Sequence, residues 1–163
     1  MKTLTARTTH EVLRQIPYGL YTVGFRNHKV TELNANVVNW ITQCSFDPPM
    51  LMVAIRKPSH SYDLLRDGMV FSVNLIDRRD RQIIRNLVKP SDRAGDKLGR
   101  IGHVEEDTRA PILRKVFAYV ECRLKKIYEP GDHALVIGEV VNAGFHDRGE
   151  SMMCSDMRWH YAG

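Results

Sequence analysis

Between Val116 and Phe145 the chain commits itself to a pair of antiparallel strands. Val116, Ala118, Val120, Cys122 and Leu124 alternate with Phe117, Tyr119, Glu121, Arg123 and Lys125. A period of two puts the first set on an apolar face and the second on a solvated one. Glu129-Pro130-Gly131-Asp132 then turns the chain. His133 to Phe145 follows as a nearly continuous apolar run, which predicts a strand covered on both faces. Two long strands joined by so short a turn pair antiparallel, which argues against an alternating strand and helix architecture.

The rest of the chain fits around that hairpin. Thr8-x-x-Glu11 has capping-box spacing, and Val12, Leu13 and Ile16 follow on one side. A short helix is predicted before Pro17, packed on a sheet. Tyr18 to Asn39 is rich in Tyr, Thr, Val and Phe and is broken at Arg26-Asn27-His28-Lys29, which predicts a hairpin. Trp40 to Phe46, Asp47-Pro48-Pro49 and Met50 to Ile55 read as strand, rigid corner and strand. Ser59 caps a short helix through Leu65 that ends near Gly68, and Met69 to Ile76 is a buried strand. Arg78 to Val88 is helical, with Ile83, Ile84, Leu87 and Val88 on one face. Ser91 to His103 is a charged loop with a helical turn. The expected architecture is all-β with minor α, an antiparallel Greek-key split β-barrel of six or seven strands with two or three short helices.

Size and composition narrow the class further. At roughly 150 residues per domain, 163 residues make one domain spanning 1–163. Apolar residues at 43% and charged residues at 26% are too apolar for a disordered chain. No stretch approaches the ~18 apolar residues of a membrane span. Met1 to Arg7 lacks the apolar core of a signal peptide, so the expected location is cytoplasmic and no membrane partner is expected. Cys44, Cys122 and Cys154 are odd in number and never paired as Cys-x-x-Cys, so they suggest neither a disulfide framework nor a zinc knuckle. The seven histidines are scattered without ligand spacing, and no metal site is expected. Residues 76–127 carry 14 Lys and Arg against 8 Asp and Glu, whereas residues 128–163 carry 2 against 6. The basic middle interleaves both signs and has no nucleic-acid module, which favours a solvated face or one that attracts a phosphorylated small molecule over nucleic acid.

Motifs of the usual single-domain chemistries are absent: no dinucleotide fingerprint after a strand, no phosphate loop, no His-Glu-x-x-His and no Gly-x-Ser-x-Gly. Two stretches remain unusual. They are Asn34 to Pro49, read Asn-Ala-Asn-Val-Val-Asn-Trp-Ile-Thr-Gln-Cys-Ser-Phe-Asp-Pro-Pro, and Arg56 to Leu65, read Arg-Lys-Pro-Ser-His-Ser-Tyr-Asp-Leu-Leu. Both place small polar side chains where a barrel rim would expose them.

Within them, Asn39 to Pro49 and Lys57 to Tyr62 resemble the flavin reductase-like family with the FMN-binding split barrel. So do Tyr18-Gly19-Leu20-Tyr21, Phe71-Ser72-Val73-Asn74 and Gly131-Asp132-His133 leading into Val136-Ile137-Gly138-Glu139-Val140-Val141. The chain most resembles the branch containing flavoredoxin, ferric reductase and the flavin module of high-molecular-weight rubredoxins, over nearly its whole length. The resemblance implies FMN as cofactor. It assigns cofactor binding to Asn36, Val37, Val38, Asn39, Trp40, Thr42, Gln43 and Ser45, and to Arg56, Lys57, Ser59, Ser61 and Tyr62. Donors of the Asn39 to Ser45 segment suit the isoalloxazine edge and ribityl hydroxyls. Arg56, Lys57 and the start of the Ser59 helix suit the phosphate. Val37 stands where relatives usually have Thr, and Trp40 where the broad family has Ser.

Several residues keep two readings at this stage. Trp40 is a core aromatic or a flavin-stacking or dimer-interface residue. Cys44 is a packed strand residue or a catalytic redox thiol. His133 is a catalytic residue that positions the nicotinamide or a strand-start hydrogen-bonding group. The implied function is an FMN-dependent NAD(P)H oxidoreductase, with NAD(P)H as co-substrate and free flavin, ferric iron or a small redox protein as acceptor. The alternative is an FMN-binding electron-transfer protein without its own NAD(P)H activity. A split barrel that has lost flavin, motivated by Val37, is a third. Relatives imply a homodimer.

Overall fold

The computed structural model describes residues 6–27, 32–88 and 97–157. In chain order the strands are β1 (Tyr21–Asn27), β2 (Glu32–Val38), β3 (Ile41–Phe46), β4 (Pro49–Arg56), β5 (Val70–Leu75), β6 (His103–Val104), β7 (Ile112–Leu113), β8 (Ala118–Tyr128) and β9 (His133–Phe145). The helices are α1 (Ala6–Leu13), α2 (His60–Gly68), α3 (Arg81–Leu87) and α4 (Lys97–Ile101), and a 3-10 turn covers Cys154–Met157. None of the described helices is long and apolar enough to cross a membrane. His28 and Lys29 of the first predicted turn, and Ser91 to Asp96 of the predicted loop, lie outside the described residues.

Seven strands form one antiparallel sheet in the order β2-β1-β5-β8-β9-β4-β3, and β6 pairs with β7 separately. Strands that are far apart in that order share a core. Val23 and Phe25 of β1 meet Val53 and Ile55 of β4, Phe71 of β5, Cys122 of β8 and Val136 of β9. The sheet therefore curls on itself and encloses these side chains, the all-β split-barrel architecture expected from the sequence. Tyr62, Leu64 and Leu65 of α2 fill the same interior. A second core lies outside the curl, where Ile83, Ile84 and Leu87 of α3 and Leu98 of α4 cover Ala35, Ile76 and Tyr119.

Four local expectations change. The predicted capping box is not the start of α1, because that helix begins at Ala6 and contains Thr8, while Glu11 pairs with Arg7 at 3.0 Å. The apolar side of α1 does not pack on the sheet either: Val12 is 62% exposed, and Leu13 and Ile16 are exposed beside it. Asp47-Pro48 is a two-residue hairpin turn rather than a corner, since Phe46 pairs with Pro49 across it. Proline is tolerated there because it opens the strand.

The long hairpin differs from its predicted faces. Val120, Cys122 and Leu124 point to the interior core as the period-2 pattern requires. Their neighbours Tyr119 and Glu121 are buried rather than solvated. The loop between β6 and β7 explains this, because Glu121 is fully buried yet accepts hydrogen bonds from the Asp107 and Thr108 amides, the Thr108 hydroxyl and the Asn142 amide group. A carboxylate so satisfied can be buried without a cation. In β9 only the Ala134, Val136 and Gly138 side is buried; Leu135 and Ile137 on the other side are half-exposed, so the strand is not covered on both faces.

Residues 150–157 return across the outer core as a strap. Leu20 donates its amide to Met152, Met152 to Ile76, and Cys154 to Tyr18, at 2.8, 3.0 and 3.0 Å. Asp77 holds its start: the carboxylate accepts from the Arg79 side chain at 2.7 and 2.8 Å, from the Arg79 amide at 2.9 Å and from the Glu150 amide at 3.3 Å. These donors, the Arg79 guanidinium foremost, hold its pKa far below the usual carboxylate range. A depressed folded pKa contributes stability that is present above the unfolded value and is lost as pH falls through the folded one. Asp77→Asn is therefore expected to cost about 2 kcal/mol near neutrality. The gap to wild type should narrow as pH drops below about 4, as measured by urea unfolding across a pH series.

Candidate functional site

A cavity of about 370 Å³ opens where the end of β2, the end of β4 and the start of β9 converge. β2 and the link after it contribute Asn36, Val37, Val38, Asn39 and Trp40. Arg56 closes β4, Ser59 caps α2, and His133 opens β9. Pairing explains this convergence: Arg56 stands opposite His133 in the β4–β9 ladder, and the Trp40 carbonyl accepts from the Ala54 amide at 2.9 Å.

The wall is aromatic on one side. The Trp40 and His133 rings lie 4.7 Å apart, centroid to centroid, at 50°, and Tyr18 lies 6.3 Å beyond Trp40. His133 is mostly buried, and its Nδ1 is 2.9 Å from the Asp132 carboxylate. That contact holds Asp132 below the usual carboxylate range. Asn39 is only 8% exposed, and among the described residues its side-chain nitrogen has no hydrogen-bond partner of ordinary geometry. A buried amide donor left in that state is costly unless a ligand supplies an acceptor.

The anion-facing end is asymmetric. Lys57 reaches Glu129 at 3.3 Å, and the Tyr62 hydroxyl donates to the same carboxylate at 2.7 Å. The two together lower the Glu129 pKa, and the acceptor raises that of Tyr62. Arg56 forms no salt bridge among the described residues and influences Asp132 only at a distance. Ser59 already accepts from the Tyr62 amide at 3.2 Å, and the Asn36 side chain donates to the Ser61 hydroxyl. Lys57, Ser61 and Tyr62 thus do not line the cavity and are engaged by neighbours around the α2 N-terminus.

Thr42, Gln43, Cys44 and Ser45 are not brought to this cavity. They lie on β3, an edge strand bonded only to β4, and Cys44 is exposed. The Gln43 amide turns back onto the Ser45 carbonyl at 3.1 Å. Leu20, Ala54, Ile55, Val88 and Cys154 line the cavity without having been singled out. Ala54 and Ile55 directly precede Arg56, and Leu20 lies in the Tyr18-Gly19-Leu20-Tyr21 segment, so position in the matched stretches could have found them. Nothing in the sequence points to Cys154.

An apolar slot with an aromatic pair, a buried amide donor and an unpaired guanidinium at its rim fits a flat heterocycle that carries an anionic tail. The flavin reductase-like domain model matches residues 13–162. The chain belongs to that family. It is 33% identical over 118 residues to a probable flavin reductase of Rhizobium meliloti, covering 68% of this chain and 36% of the relative. It is 26% identical over 131 residues to an NADH-dependent FAD reductase of Streptomyces globisporus, covering 79% and 72%. Among solved structures, the FMN-binding protein of Thermus thermophilus superposes with a TM-score of 0.74 at 26% identity, over 89% of this chain and 78% of that one. The chain spans 17% to 36% of the length of the first four curated relatives it matches. Other relatives that it matches are named as a diflavin flavoprotein of Synechocystis and a high molecular weight rubredoxin of Moorella thermoacetica.

The seat of α2 sets where its cap Ser59 stands, and Gly68 sets that seat. A Cβ at Gly68 would overlap the Arg26 carbonyl oxygen of β1, a backbone atom that cannot step aside. Gly68→Ala is expected to cost about 2 kcal/mol or more in urea unfolding and to weaken ligand binding at the cavity, because α2 must move away from β1.

Proposed function

We propose that this protein is an FMN-dependent NAD(P)H oxidoreductase whose acceptor is free flavin, ferric iron or a small redox protein. One observation carries the reading: the buried Asn39 donor, the Trp40–His133 pair and the unpaired Arg56 guanidinium border one cavity. Bound FMN supplies a ring that accepts hydride and passes electrons on, chemistry no side chain here provides. The chain's own residues bind and orient. Asn39 donates to a carbonyl or ring nitrogen where negative charge grows, which helps most if the donor is preorganised and dry. Trp40 stacks, and His133, its Nδ1 engaged by Asp132, holds the nicotinamide or the acceptor over the slot. Arg56 takes the phosphate, helped by the Ser59 end of α2.

The reading extends to assembly and compartment. The exposed apolar side of α1, Phe46 at 90% exposure and the half-exposed row of Met50, Met52, Leu135 and Ile137 support a homodimer that covers them. A reductase that draws on NAD(P)H is expected in the cytoplasm, where that pool is found.

Purified protein is expected to bind FMN and to lose the flavin's visible bands on anaerobic addition of NADH or NADPH. A yellow protein that does not bleach would favour an electron carrier fed by a partner. His133→Ala should raise the NAD(P)H KM about tenfold and leave FMN affinity unchanged. Arg56→Ala should weaken FMN at least about tenfold and leave riboflavin, which lacks the phosphate, unchanged. Lys57→Ala should act less on FMN because Glu129 already engages that cation. Equal losses for riboflavin and FMN in Arg56→Ala would remove the phosphate assignment.

A further inference from the structure

Cys154 lines the same cavity as Asn39, although it lies 115 residues further along the chain. The strap carries it there. Its amide donates to the Tyr18 carbonyl at 3.0 Å, and its Sγ lies 3.7 Å from the Gly19 carbonyl. Met152, two residues earlier, is fully buried in the outer core. Arg78 reaches Glu150 at 3.1 Å and Asp156 at 3.4 Å, and the other Asp156 oxygen accepts from the Met153 amide at 2.9 Å. These contacts make the strap a built element rather than a tail resting on the surface. Burial pushes the Cys154 thiol pKa up, and the Asn39 side chain offsets this only in part.

We propose that the strap is one wall of the flavin site and that Cys154 lies against the bound flavin. The inference rests on the flavin reading above and adds to it a contact from the C-terminal segment. Two independent observations meet on it: a half-buried thiol borders the cavity, and the buried Asn39 amide nitrogen, which also borders it and acts on that thiol, has no hydrogen-bond partner of ordinary geometry among the described residues. A donor in that position is satisfied when a ligand acceptor enters between Asn39 and the strap. The neutral, polarizable sulfur then packs against the ligand's ring system or its side chain. Cys154 is a contact and positioning residue here. It undergoes no redox step.

The three cysteines make the test internally controlled, since Cys44 is exposed, Cys122 is fully buried with its thiol pushed up to about 12, and Cys154 is intermediate. Native protein is treated with N-ethylmaleimide, with and without FMN or FAD at concentrations that a separate fluorescence titration has established as saturating. Each cysteine is then followed by peptide mass spectrometry. Cys44 is expected to react at the same rate in every case and Cys122 not to react. Cys154 is expected to react slowly in the free protein and at least about tenfold more slowly with flavin bound. Protein alkylated at Cys154 should lose flavin binding, whereas Cys154→Ser treated in the same way should keep it. Equal Cys154 rates with and without bound flavin would overturn the inference and leave the flavin reading standing, because the titration reports binding on its own. Failure of both FMN and FAD to bind would remove the reading and the inference together. If Cys154 is inert in the free protein, Cys154→Phe decides. At least about tenfold weaker flavin binding with an unchanged Tm supports the wall, and unchanged binding overturns it.

Discussion

Arg56 faces His133 because β4 and β9 pair in a single register, and the whole cavity hangs on that pairing. A slip of one residue would turn Val53, Ile55, Ala134 and Val136 out of the enclosed core, so the hydrophobic interior fixes where the two polar residues stand. The Glu129 to Asp132 turn feeds β9 into that register, and the Lys57 amide bonding to the Asp132 carbonyl at 2.8 Å closes the end of the ladder. The same core that makes the sheet curl thus places an aromatic pair and a cation on one rim.

The charges near the rim divide into those already engaged and those left free. Glu129 serves Lys57 and Tyr62 at once, which steadies the α2 N-terminus and removes Lys57 from contention as a strong anion contact. Arg56 is left over. Away from the rim, Glu121 and Asp77 do structural work of a different kind. Glu121 pins the β6–β7 loop onto β8, and Asp77 pins the strap onto the outer core. Both are buried carboxylates whose oxygens are filled by local donors, so neither is available for chemistry.

Much of this was legible in the sequence. The β8–β9 hairpin, the Ser59 cap of α2 and the helical face of Ile83, Ile84 and Leu87 follow from local periodicity and cap chemistry, and each forms. The failures share one cause. Tyr119 and Glu121 read as solvated because the alternation of β8 says nothing about a loop that arrives from residues 105–110. α1 read as packed because its apolar side exists, yet among the described residues no surface covers Val12, Leu13 and Ile16. The segment from Asn36 to Ser45 read as one continuous site, whereas only the part up to Trp40 lines the cavity. β3 then departs along the sheet edge.

The sequence by itself determined the class of fold and the family, and it singled out the contiguous residues Asn36 to Trp40, with Arg56 and Ser59, that line the cavity. Short-range pattern is enough for these, because strand alternation, capping and matched motifs are properties of neighbouring residues. Only the tertiary structure decided that His133 lies tilted against Trp40, that Glu129 engages Lys57, and that Cys154 comes to rest beside Asn39. Those are meetings of residues 70 to more than 100 positions apart, as with His133 and Cys154 against the Asn39–Trp40 segment. They depend on strand order and on where a strap crosses the core, which no local period encodes.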